Sequence, residues 1–384
     1  MIIKNGLAFD GEGFVARDVL VSGGMFAEAD AAAGAASAGA NSAGAGDVID
    51  AAGCYVIPGL VDLHFHGAAG GDVSDGDDGG LHAMGAYEAS RGIGAMCPAT
   101  MTLSEEILGH ALGVAAAFEP ADDEAELVGV NMEGPFISPS KVGAQNPEYV
   151  HVPDAAMFRR LQEASGGLIK LVDIAPEEPG AMEFVEELGG EVRVSLAHTC
   201  TDYDTAALAF EKGARHLTHL YNAMNSMHHR KPGPIPAAAE RDDVTAEIIA
   251  DGVHIHPAMV RLAFNLFGDD RMILISDTLR AAGMPDGVYD LGGQDVTVKG
   301  FEARIDNGAL AGSVSDLMRC LYVAVHDMRI PLASAVKAAA SNPARALGLE
   351  GRYGTLDAGA VANAVLLDQE TLEVKQVILR GKAL

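Results

Sequence analysis

The chain has 384 residues, 49% of them hydrophobic, with 16 prolines and 46 glycines. Lys and Arg total 26 against 54 Asp and Glu, a formal net charge of −28, which argues against nucleic acid and anionic membrane surfaces as partners. No run approaches the ~18 apolar residues of a membrane span, and the opening MIIKNGLAFDGEGFVARDVLV lacks the basic stretch and unbroken apolar run of a secretory signal. Cys54, Cys97, Cys200 and Cys320 are widely spaced and form no CxxC pair. They are expected as buried, reduced thiols of a cytoplasmic protein.

Residues 1–57 alternate short apolar runs with turns, as in LAFDGEG and LVSGGMFAE, the pattern of small β-structure. The stretch AAAGAASAGANSAGAG (31–46) is low in complexity and has no apolar period, so a flexible surface loop is expected there. From 58 to 348 short apolar runs alternate with helical stretches. YVIPGLVDLHFHG, LVGVNMEG, EVRVSLAHT, RHLTHLYNAM, TAEIIADGVH and RMILISDT are runs, and DYDTAALAFEKGA has helical spacing. The tail 349–384 returns to short strands with turn residues like those of the N-terminus. The expected architecture is α/β: a TIM-like (β/α)8 barrel over 58–348, beside a small β-sandwich domain formed by 1–57 plus 349–384. A doubly wound open sheet is the alternative, but no GxGxxG follows the first strand, so nucleotide binding has little support.

Several of these runs end in residues that can do chemistry. His64 and His66 in DLHFHG are spaced i, i+2 and would share one face of a strand. Among 13 histidines an HxH is unremarkable by itself; its place at the end of the first long run raises its interest, because barrel sites lie at the C-terminal ends of strands. Glu133 follows LVGVNM, and alone would read as a solvated carboxylate. His198 ends RVSLAH and His219 ends RHLTH, one βα repeat apart. His216 should fall on the opposite strand face from His219 and is expected to be structural. Asp277 ends RMILISD and suits a general base. Runs ending in His, Glu, His, His and Asp converge on one barrel mouth, which is what a hydrolytic divalent-metal site requires. His228, His229 and Lys231 read as a solvated basic patch, and Met224 and Met227 as packing.

The stretches PGLVDLHFHG, MEGPFISPSKVGAQNP, LAHTCTDYDTAALAFEKGARHLTHLYNAM, HHRKPG, ADGVHIHP, ISDTLRAAGMPDG and GALAGS are more specific. With them the chain resembles the N-acetylglucosamine-6-phosphate deacetylases of the amidohydrolase superfamily, in order and approximate spacing over nearly its whole length. The resemblance implies Glu133, His198 and His219 as principal metal ligands, and His64 and His66 as the pair holding a second ion in some members. It implies Asp277 as catalytic acid/base. Ala144, Gln145, Asn222, Ala223, Arg230, Asp251, His254, Leu310, Ala311 and Gly312 match substrate-contacting positions. Gln145 departs from the many members that have His there; a carboxamide donates a hydrogen bond but cannot carry a proton near neutrality.

The implied cofactor is a divalent metal, Zn2+ first, with Fe2+ or another divalent ion as alternatives, one or two per subunit. The implied partners are a small amino sugar phosphate and a second copy of the chain in a homodimer, with the phosphate site near the interface. An acidic chain repels such a substrate at long range, so local cations must hold its phosphate; Arg230 suits that role through its planar donors. The alternatives are a deacetylase of the galactosamine epimer, another superfamily hydrolase or deaminase, and a non-catalytic scaffold. Carbamylated-lysine members of the superfamily would need a lysine at a strand end, where this chain has Glu133. A scaffold would have lost ligands, and these are present.

Overall fold

The structure is a computed structural model that describes residues 1–28 and 48–384; the stretch expected as a loop at 31–46 lies outside the described residues. Eight short strands form its centre: β1 (Leu60–Asp62), β2 (Ile93–Met96, resumed at Ala99–Thr100), β3 (Glu126–Leu127 and Val130–Met132), β4 (Ile169–Ile174), β5 (Arg193–Leu196), β6 (His216–Leu217), β7 (Thr245–Ile249) and β8 (Met272–Ile275). Each pairs parallel with the next. The ring closes just past β8 and β1, where the Asp277 N–H donates to the His64 carbonyl at 3.0 Å. The expected barrel is thus present. Its strands are largely apolar because the outer face meets helices and the inner face fills the barrel; all four residues of β8, MILI, are buried.

The covering helices start and stop where the sequence signals. Asp154 accepts from the N–H groups of Ala156 and Met157 at 2.8 and 3.0 Å, which supplies partners for the open first turn of Ala155–Ala164. Met157, Phe158 and Leu161 then form its buried face. Asp202 opens Tyr203–Lys212 in the same way and Gly213 ends it.

The two chain ends share a sheet. Cys54–Pro58 pairs parallel with Leu7–Phe9 and antiparallel with Ala364–Asp368, and Val374–Leu379 continues beyond it. A second sheet joins Met25–Ala27, Val19–Ser22, Ile2–Lys4 and Val48–Asp50.

Two expectations need correction. The segment after β8 is not a plain βα repeat: Gly287–Leu291, Gln294–Lys299 and Glu302–Ile305 form an antiparallel three-stranded meander. Its signal was available in the alternation of YDLGGQDVTVKGFEARI around the two-residue Gly292-Gly293 turn. Among the cysteines, Cys54, Cys97 and Cys320 are buried, but Cys200 is exposed, because it lies in the loop beyond His198 rather than on an element.

Ile57 is fully buried and pairs with Val365 across the shared sheet. Ile57→Ala should lower the unfolding free energy by about 2–5 kcal/mol without changing metal content. Denaturant titration checks this, and a loss below about 1 kcal/mol would mean that the shared sheet contributes little to the stability of the whole.

Candidate metal centre

Each ligand-type residue stands just beyond a strand: His64 and His66 after β1, Glu133 after β3, His198 after β5, His219 after β6 and Asp277 after β8. Three of them, His198, His219 and Asp277, have φ of 42°, 25° and 49°. Non-glycine residues in this left-handed region are costly and cluster at functional sites. The turn brings each side chain back over the barrel mouth instead of letting the strand run on.

The side chains converge on Glu133, which is buried. Its Oε1 lies 3.0 Å from His198 Nε2, 3.0 Å from His219 Nε2 and 3.6 Å from His64 Nε2. Its Oε2 lies 3.2 Å from His66 Nε2. Burial alone would raise this carboxyl, but the His64 charge and the bonds from His198 and His219 outweigh it and hold the pKa well below the usual range. His66 moves the other way, to about 9: burial opposes its charge, and the hydrogen bond and charge of Glu133, with Asp277, overcome that.

The outer ring nitrogens fix which way the imidazoles face. His198 Nδ1 donates to the Lys141 carbonyl at 2.8 Å, and His66 Nδ1 to the Ala99 carbonyl at 3.0 Å. A carbonyl only accepts, so each ring turns Nε2 toward Glu133. His198 Nε2 and His219 Nε2 are 3.2 Å apart. Two lone pairs at that distance repel unless a cation or proton lies between them. The separations of 3.0, 3.0 and 3.2 Å approach the ~3.3 Å tetrahedral edge of donors sharing one ion at about 2.0–2.1 Å. The donor set also suits the ion chemically, and two groups of potential ligands, Glu133–His198–His219 and His64–His66–Glu133, share the carboxylate. These residues fit a divalent metal, with Glu133 common to both positions.

Asp277 Oδ1 is 3.5 Å from His66 Nε2 and 3.7 Å from His64 Nε2. The loop carrying Leu310, Ala311 and Gly312 braces its backbone: Ser313 N–H donates to the Asp277 carbonyl at 2.6 Å. Gly312 has φ of 64°, and a Cβ there would meet the Asp277 oxygen at 2.8 Å, so the close approach requires glycine.

Gln145 is buried and held at both ends. The Thr102 N–H donates to its Oε1 at 2.6 Å, which fixes the amide orientation, and its Nε2 donates to Glu133 Oε2 at 2.6 Å. His254 is oriented by Asp251, whose Oδ2 accepts from His254 Nδ1 at 2.8 Å while Oδ1 caps the turn at Val253 and His254. His254 is raised above its ordinary value: burial opposes the charge, and the bond and charge of Asp251 prevail, with Asp277 adding to them.

A cavity of about 250 Å3 opens over the cluster, at the small end for ligand pockets and enough for one small molecule. Its wall includes His66, Glu133, Ala144, Gln145, His198, His219, Asn222, Ala223, His254, Asp277, Leu310 and Gly312. Four expected residues are not on that wall. His64 lies beneath it. Asp251 stands behind His254, its carboxylate engaged by the turn. Ala311 is buried behind the loop. Arg230 is exposed beside His228 and Lys231 in a separate surface cleft. Met224 is buried, whereas Met227, expected as packing, is 37% exposed in that same polar turn.

Sequence reasoning missed Met101, Gly143, Leu291 and Ala309 on the wall. Leu291 arrives on the unforeseen meander, and Gln294 from the same hairpin donates to the Ala144 carbonyl at 2.6 Å. His216 also differs from expectation. It is no ligand, but it does not face away from the site: its Nε2 reaches the buried Glu247 at 2.8 Å. β6 ends at Leu217, so counting faces at period two cannot relate His216 to His219.

Comparisons with known proteins agree with this geometry. The Amidohydrolase family profile matches residues 55–384. A Bacillus subtilis N-acetylglucosamine-6-phosphate deacetylase is 37% identical over 331 residues, covering 85% of this chain and 83% of the relative. An Escherichia coli N-acetylgalactosamine-6-phosphate deacetylase is 35% identical over 327 residues, covering 85% and 86%. A mutant of Mycobacterium smegmatis N-acetyl-D-glucosamine-6-phosphate deacetylase, solved in complex with N-acetyl-D-glucosamine-6-phosphate, superposes with a TM-score of 0.89 at 32% identity, covering 100% of this chain and 98% of that one.

His198→Ala and His219→Ala should each strip the metal and abolish nearly all turnover. Elemental analysis of the purified variants is the check; full occupancy with normal turnover in either would refute the ligand assignment.

Proposed function

The chain belongs to the amidohydrolase family, and from that membership we propose that it hydrolyses N-acetyl-D-glucosamine 6-phosphate to D-glucosamine 6-phosphate and acetate. The observation that carries the proposal is the convergence of Glu133, His198 and His219 on one point with Asp277 beside them in the same cavity. The reaction belongs to amino sugar catabolism.

We assign the residues as follows. Glu133, His198 and His219 would hold a divalent ion, with Zn2+ the first choice, which would supply Lewis acidity toward a water and an amide carbonyl. Asp277 accepts the proton of the attacking water and returns it to the departing sugar amine, so the C–N bond breaks with a neutral leaving group. Gln145, with one amide hydrogen committed to Glu133, has a second with which to donate to the substrate, and it takes no part in proton transfer. His254, held by Asp251, contacts the sugar or its phosphate. Asn222, Ala223 and Leu310 shape the wall, and the sugar's remote groups orient the amide.

No Lys or Arg lies on the cavity wall among the described residues. A phosphate therefore needs a cation from elsewhere, and Arg230 is exposed. We assign Arg230 to the phosphate in a homodimer, reaching the cavity of the second copy. We also read the two terminal sheets as one small β-sandwich domain (1–57 plus 349–384) beside the barrel. It is supported by the Phe26 N–H donating to the Ala360 carbonyl at 2.9 Å between the N- and C-terminal segments. A cytoplasmic location is consistent with the free cysteines; no helix among the described residues is long and apolar enough to cross a membrane.

Acetate release from a panel of N-acetyl hexosamines, with and without a 6-phosphate, tests the function. The gluco 6-phosphate should be the best substrate. A preference for the galacto epimer would move the chain to the specificity named for the Escherichia coli relative, and no release from any member would sink the proposal. On the same panel Arg230→Ala should lose about 1.5–3 kcal/mol of transition-state binding for the phosphorylated substrate only; equal losses with and without phosphate would remove Arg230 from that role.

Asp277→Asn should retain metal and lower kcat by roughly 100-fold or more, the scale of a lost acid/base. Near-normal kcat with metal bound would contradict the assignment.

A further inference from the structure

Glu247 lies in the middle of β7, fully buried, and has no part in the chemistry above. Its carboxylate receives three hydrogen bonds. Oε2 accepts from His64 Nδ1 at 2.9 Å and from the His219 backbone N–H at 3.1 Å; Oε1 accepts from His216 Nε2 at 2.8 Å. Three donors on a dehydrated carboxylate compensate for lost hydration and favour its ionised form.

An ionised carboxylate cannot donate. His64 must therefore carry a proton on Nδ1 and His216 one on Nε2. His216 Nδ1 can then accept from the Thr245 hydroxyl at 2.6 Å, which completes that ring. His64 is left with Nε2 aimed at Glu133 Oε1 (3.6 Å) and Asp277 Oδ1 (3.7 Å), buried and without a hydrogen-bond partner. Asp173 and Asp62, two other buried carboxylates, accept from no imidazole. Asp173 accepts from the Thr218 hydroxyl, and Asp62 from the backbone N–H groups of His64 and Ser276.

We propose that Glu247 is a positioning residue that aligns the metal donors from inside the barrel. It locks the His64 ring with Nε2 toward Glu133 and pins the left-handed turn that presents His219. One side chain thereby ties a member of each donor group to the same strand. His216, bonded behind it, steadies Glu247 in turn. The inference rests on the reading of Glu133, His198, His219 and His64 as metal ligands.

Glu247→Gln keeps the volume but cannot accept from all three donors. Titration of the metal-stripped full chain with Zn2+ against a chromophoric chelator reads affinity without reference to turnover. The variant should melt cooperatively and bind Zn2+ about 10–100-fold more weakly, the usual scale for a residue that orients a ligand. Turnover lost at low zinc should return at saturating zinc. Wild-type affinity in the variant overturns the inference, and so does a turnover loss that saturating zinc leaves in place. Should the variant fail to fold, 15N-histidine spectra of the zinc-loaded wild type decide. His64 protonated at Nδ1 is the expected state, and a proton on Nε2 overturns the proposal. A wild-type chain that turns over unchanged after complete metal removal would instead sink the metal reading, an outcome the chelator titration separates from failure of Glu247 alone.

Discussion

A carboxylate buried among four imidazoles is the constraint on which the site depends. Glu133 has His198, His219, His64 and His66 within 3.6 Å of its two oxygens, with Gln145 on the second. Such a group is stable in a dehydrated place only if cations or protons share it. The barrel meets that demand by geometry: these side chains come from four different strand ends, and parallel pairing sets the strand ends in one ring. Left-handed turns at His198, His219 and Asp277 then bend the side chains inward, at roughly 1–3 kcal/mol each. The Ser313 N–H on the Asp277 carbonyl and Glu247 on the His219 N–H hold two of these turns against relaxation.

The same electrostatics shape the rest of the mouth. The chain carries a net charge of −28, and histidines are the only side chains on the cavity wall that can become cationic among the described residues. Asp251 keeps His254 inclined to protonate, so a single chain offers a modest, pH-dependent positive group where a strong fixed cation would be expected. On the proposed assignment, the exposed Arg230 would supply the missing cation from a second copy, which would make assembly and substrate charge parts of one problem.

The ends of the apolar runs were legible because the barrel converts strand order into spatial convergence. His64, Glu133, His198, His219 and Asp277 could each be found within two residues of the end of a buried strand, and His66 two places after His64. What lay inside a strand could not. Glu247 in TAEIIADGVH sits among apolar neighbours, and only the ring of strands reveals that it meets His64 and His216. Local turns were equally opaque: strand periodicity misplaced His216 because β6 is two residues long. Asp251 and His254 were grouped by adjacency, although one carboxylate orients the other residue. The meander had a clear alternating pattern with a Gly-Gly turn, and the repetition of βα units before it obscured it.

Anomalous diffraction from metal-loaded crystals of the active protein tests the central claim most directly. Data at the metal edge should show an ion bounded by Glu133, His198 and His219, with any second ion between Glu133 and the His64–His66 pair. An active crystal with no anomalous peak beside Glu133, or with its ion elsewhere in the chain, would contradict the account.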